Sequence, residues 1–229
     1  MSSFSSYNRL ISNADKSLSD KIKNLKYSST RPNSLKVSKD VTIGWDNVLA
    51  DPPFNDSETT KNELMYVSWL TKNRSAQEKR LVELVDDEPK ALYYETLSDL
   101  NLEFPHKIFD KSWKILNPII KNLKNRFNRP RPYQLAEYYD VDIDVIETKT
   151  HHTPAYPSGH TAYAALAAYI LAAKYPEHSS QFFYQVSIAG MARMLQGVHY
   201  PSDNEASMVI TGAVWEDIRY RLFPELKNF

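Results

Sequence analysis

Cysteine is absent from the 229 residues, so neither a disulfide framework nor thiol chemistry is open to this chain. Glycine is scarce, at five residues, which argues against a β-barrel and for helices joined by Pro, Asn and Asp loops. Neither sign of charge is in excess: 28 Lys and Arg stand against 28 Asp and Glu. That balance gives no long-range attraction to nucleic acid or to an anionic membrane. Long hydrophobic runs are missing too. The longest, Ala162 to Ala173, is too short and too alanine-rich to span a bilayer. Met1-Ser2-Ser3-Phe4-Ser5-Ser6-Tyr7 lacks a basic segment followed by an apolar core, so no signal peptide is expected. These absences lead to the expectation of a soluble, cytoplasmic chain with no transmembrane segment and no nucleic-acid partner.

What is present is helical periodicity. Residues 1–57 read as an N-terminal extension packed on the body. Leu10, Ile11, Leu18, Ile22 and Leu25 give a weak helical stripe, followed by a looped lead-in that Trp45 and Phe54 are expected to anchor. Residues 58–229 read as one helical unit. Ser57-Glu58-Thr59-Thr60 opens a helix expected to run to about Val85, and the acidic run Glu83 to Glu88 reads as a solvated face. Further helices restart at Pro89 and at Phe104-Pro105, the latter with Pro118 as a candidate kink. Val141 to Val145 alternates but has no partner strand, and reads as an extended loop. Tyr175-Pro176 breaks the alanine-rich helix, Gly197 ends the next, and a last helix begins near Pro201. The expected fold is a single-domain, all-α bundle of about six or seven helices with a looped N-terminal extension.

Chemistry gathers at three places. Between Lys121 and Arg131 there are five cations and no acid. Pro157-Ser158-Gly159-His160 opens the alanine-rich helix, whose free N–H groups and partial positive charge suit an anion. Gly159 allows close approach and His160 titrates near neutrality. Arg193, His199 and Asp203 form the third group. Taken singly, each has an ordinary explanation: a solvated basic face, a capped helix, a buried ion pair of Arg193 with Asp203 or Glu205, a surface His–Asp pair.

In order, the groups read Lys124-x6-Arg131-Pro132, Pro157-Ser158-Gly159-His160, and Arg193-x5-His199-x3-Asp203. This resembles the tripartite signature of the phosphatidic acid phosphatase type 2 superfamily, which includes bacterial class A nonspecific acid phosphatases and vanadium-dependent haloperoxidases. One position departs: the family's third block begins with serine, where this chain has Ala192. Arg129-Pro130 reads as a distractor, because Asn122 stands where the motif needs lysine. The resemblance implies His199 as nucleophile, forming a phosphohistidine, with Asp203 as its partner. It implies His160 as the acid and base at the leaving oxygen. Lys124, Arg131, Ser158, Gly159 and Arg193 would hold the phosphate. No metal or other cofactor is implied; vanadate would inhibit a phosphatase or serve as cofactor of a haloperoxidase. The expected partner is a small phosphomonoester or a lipid headgroup phosphate. Three readings stay open: a metal-independent phosphatase, favoured by the short chain; a haloperoxidase; and an inactive phosphate- or headgroup-binding module. A homo-oligomer also stays open, as do a lid, an oligomer contact or a strap for the N-terminal segment. His151 and His152 lie outside the signature and lack zinc spacing; a pocket mouth and a plain surface loop both fit them.

Overall fold

A computed structural model describes residues 16–224 and 226. Leu10 and Ile11 of the N-terminal stripe lie outside them. Residues 16–24 are helical, with Ile22 buried and Leu18 exposed. From Glu58 onward come α1 (Glu58–Asn73), α2 (Ala76–Asp87), α3 (Ala91–Asp99), α4 (His106–Phe127), α5 (Pro132–Ala136), α6 (Gly159–Lys174), α7 (Ser179–Leu195) and α8 (Pro201–Leu222). No strand occurs among the described residues, and no helix among them is long and apolar enough to cross a membrane.

The alanine-rich α6 is the element the others pack on. Ala162, Ala164, Ala165, Ala167 and Ala168 are fully buried, and their short side chains let α4, α7 and α8 approach it closely. Tyr93 reaches α6 from α3, its hydroxyl donating to Ala164 O at 2.7 Å. The main core continues through Leu116, Ile119 and Leu123 of α4 and through Ile210, Val214 and Trp215 of α8.

There are eight helices between Glu58 and Leu222, more than the six or seven expected. The segment expected to be one helix to Val85 is two. Arg74 is extended (φ −64°, ψ 134°), and Ser75 with Glu78 forms a reciprocal capping box that starts α2. The five-residue α5 begins at Pro132, whose missing N–H suits a first helical position. Pro118 lies inside the continuous α4. Trp45 packs on the core as expected, whereas Phe54 is 71% exposed and anchors nothing. Residues 141–145 have no regular structure and lie along α1 and the end of α7.

Candidate active site

The three motifs converge because three helix ends meet. α4 ends at Asn128 in a left-handed conformation (φ 51°), sending Arg129 and Arg131 across the bundle. α6 begins at Ser158, whose hydroxyl accepts from the Thr161 N–H. α7 ends at Gly197 (φ 87°), where Gly197 N–H donates to Met194 O and Val198 N–H donates to Arg193 O, a Schellman closure that brings His199 back beside Arg193.

Around these ends lies a cavity of about 410 Å3, lined by Lys124, Arg131, Gly159 and His160 on one side. Lys124 is buried, its ammonium donating to Pro154 O at 2.5 Å and Ala155 O at 3.3 Å. Arg131 donates to Thr153 O at 2.8 Å and Val198 O at 2.7 Å, and its Nη1 lies 2.8 Å from His199 Nε2. A Cβ on Gly159 would meet only Lys124 Cε, at 3.9 Å. The space before that backbone is cavity. Arg193 is 1% exposed, and its Nε has no partner among the described residues, a buried donor that an anion's oxygen can satisfy. Ser158 is also buried, but its hydroxyl is engaged with Thr161 in capping α6.

His199 is not on a helical turn with Asp203, as the four-residue spacing suggests. It precedes α8, and Asp203 at the third helical position reaches back. Asp203 Oδ2 accepts from His199 Nδ1 at 3.0 Å and from Tyr200 N–H at 2.9 Å. With Nδ1 carrying the proton, Nε2 holds a lone pair. Burial, and then the charges of Arg131, Lys124 and Arg193, push His199 well below the usual histidine range. His160 is pushed down to about 3 by burial and Arg193, against the opposing pull of Asp86. Both imidazoles are therefore neutral at neutral pH when the site holds no anion.

Three groups escaped the sequence. Asp86 is not on a solvated face: its carboxylate is 8% exposed and accepts from Arg193 Nη1 at 2.7 Å, from Thr148 Oγ1 at 2.9 Å and from Thr150 Oγ1. Arg193 thus pairs with Asp86 rather than with Asp203 or Glu205. Arg129, outside the signature by its spacing, is 2% exposed and donates to Asp203 Oδ1 at 2.6 Å and to Glu63 Oε2 at 3.0 Å. Glu63 in turn accepts from Ser202 N–H at 2.7 Å. The capping-box reading of Ser75-x-x-Glu78 would have located α2, but nothing local marks Asp86 or Glu63. His151 is buried beside Glu147 (3.0 Å), so a plain surface loop does not describe it, while His152 is exposed.

Comparison with known proteins agrees with the motif geometry. Residues 114–224 match the family model described as the PAP2 superfamily. A non-specific acid phosphatase of Salmonella typhi is 28% identical over 126 residues, covering 52% of this chain and 49% of that protein. An acid phosphatase of Zymomonas mobilis is 32% identical over 95 residues, covering 40% of this chain and 34% of that protein. The matches thus span half or less of these curated relatives. A transmembrane PAP2-type phosphatidylglycerolphosphate phosphatase from Bacillus subtilis superposes with a TM-score of 0.49 at 14% identity, over 76% of this chain and 90% of that one. All three signature blocks lie inside the matched segment, and it is over that segment that the chain is similar to the PAP2 superfamily.

Proposed function

We propose that this chain hydrolyses phosphomonoesters through a phosphohistidine, without a metal. The observation that carries the reading is the buried His199–Asp203 pair, whose Nε2 lies against Arg131, a residue that lines the cavity together with Lys124 and His160. A phosphoryl group in transfer spreads negative charge over its equatorial oxygens, and fixed cations match that charge. Phosphate oxygens draw Arg131 off the His199 lone pair. His199 Nε2 then bonds to phosphorus as the ester O–P bond breaks, and His160 gives its proton to the leaving oxygen. Water next attacks phosphorus, His160 takes its proton, and the N–P bond breaks to release phosphate. Asp203 keeps the Nδ1 proton in place and offsets the imidazolium charge. Gly159 N–H completes the cradle at the start of α6, which Ser158 caps through Thr161.

His160 must carry a proton that burial and Arg193 keep off it in the free protein, so the proton arrives with or upon binding of the anion. A phosphomonoester keeps its own last proton below about pH 6. The expected kcat/KM is therefore higher at pH 5 than at pH 8, and a rate rising continuously into alkali would contradict the scheme. The substrate class is a small phosphomonoester or a headgroup phosphate reached from the surface.

The deciding experiment is hydrolysis of p-nitrophenyl phosphate by wild type and His199→Ala, in chelator, with and without vanadate. Turnover that survives chelator, stops with vanadate and is lost in the variant is expected. Halide oxidation in vanadate and peroxide, with no hydrolysis, would replace this reading by the haloperoxidase one. Phosphate binding with neither activity would leave a binding module.

A further inference from the structure

We infer that Arg129, anchored by Glu63, is a positioning residue for the His199–Asp203 pair, extending it to a buried four-membered chain Glu63–Arg129–Asp203–His199. The inference rests on the phosphatase reading for its kinetic consequences, but not for its geometry. All four side chains are buried or nearly so, at 9%, 2%, 0% and 1% exposure. Asp203 divides its oxygens: Oδ2 serves His199 Nδ1 and Tyr200 N–H, and Oδ1 serves Arg129 Nη1 alone. Arg129 cannot swing away, because Nη2 is tied to Glu63 and its guanidinium lies 3.9 Å from the centre of the Tyr200 ring. Ser202 closes the arrangement, accepting from Arg129 at 2.8 Å and donating to Glu63 at 2.9 Å.

Two consequences follow for the reaction. Arg129 occupies Asp203 Oδ1 and so leaves Oδ2 to accept from His199 Nδ1–H, which keeps the lone pair on Nε2. The planar fork also fixes the carboxylate plane, and with it the aim of the imidazole. Arg129 does not line that cavity, and its guanidinium bonds only Asp203, Ser202 and Glu63 among the described residues, so it acts through Asp203.

The test uses the full chain with Arg129→Gln, Arg129→Lys and Glu63→Gln, reading p-nitrophenyl phosphate kinetics, vanadate affinity and the low-field proton resonance of His199 Nδ1–H. Loss of a charge-assisted bond to a buried group is expected to lower kcat about 10- to 100-fold in Arg129→Gln. Vanadate affinity should stay within about three-fold, because Lys124, Arg131 and Arg193 are untouched. Arg129→Lys should recover part of kcat by keeping a cation on Oδ1. If Arg129→Gln does not fold, Glu63→Gln, which only loosens the anchor, carries the test, with kcat a few-fold down and vanadate binding retained. An unchanged kcat in either folded variant, or kcat and vanadate affinity falling together, would overturn the inference in favour of a merely structural ion pair. If wild type hydrolyses nothing, the phosphatase reading fails separately. The positioning claim is then decided by the resonance, present in wild type and lost or displaced in the variants if correct, unmoved if wrong.

Discussion

The proton on His160 governs what the site does on meeting an anion. Burial comes first, then Arg193, with Lys124 adding to it, and together they hold this imidazole down to about 3. An anion set among the same cations opposes their charge and so favours the protonated ring. The sign is fixed: a group neutral in the free protein and charged in the complex takes up a proton on binding. Calorimetric titration with vanadate near pH 6.5, repeated in two buffers of different ionisation enthalpy, should therefore show net proton uptake. His160→Gln should abolish most of it while the heat of anion binding remains. Proton release on binding in wild type would mean that the anion arrives protonated and surrenders its proton to the buffer, leaving His160 neutral throughout.

Among the elements, the end of α7 is the one on which the site depends most. Gly197 has φ 87°, and a Cβ there would meet Ile143 Cγ2 at 2.8 Å and Thr71 Cγ2 at 3.3 Å. Gly197→Ala therefore adds both left-handed strain and a clash, an expected cost of about 1–3 kcal/mol, read as a lower midpoint in urea unfolding. Activity should fall further than stability, because the turn sets the approach of His199 to Arg131 and of Arg193 to the cavity. A midpoint unchanged from wild type would show that the 141–145 segment moves aside freely. This turn was legible beforehand: a lone glycine after an apolar helical run is a stop signal. So were the three motif blocks and the buried alanine-rich helix, because each is local in sequence. Glu63, Asp86 and Arg129 were not. Arg129 joins Asp203 across 74 residues, and Asp86 joins Arg193 across 107, so their pairing exists only once α1, α2, α7 and α8 have packed. The acidic run of α2 has a solvated composition, and only the side of the helix turned to Arg193 makes Asp86 an exception.

At the scale of the whole molecule, the cavity is larger than a phosphate requires, and cations are not its whole lining. Pro89 from the α2–α3 connection, Trp113 and Ile120 from α4, and Tyr163 from α6 line it, with Trp113 and Tyr163 ring centroids 4.8 Å apart edge to face. Lys121 and Asn117 also line it. The lining thus offers Lys121, Lys124 and Arg131 to a phosphoryl group, and apolar and aromatic surface to the rest of an ester. That division favours a flat, uncharged leaving group over a small alkyl one, since an aromatic pair contributes about 0.5–1.5 kcal/mol beyond its buried area. Trp113→Ala should then raise KM for p-nitrophenyl phosphate by about 2- to 10-fold, and leave kcat/KM for methyl phosphate within about two-fold. Equal losses for both esters would mean that Trp113 supports α6 and the cradle itself rather than the leaving group. No loss for either would place the aryl group outside the cavity, leaving the cationic side alone to hold the substrate.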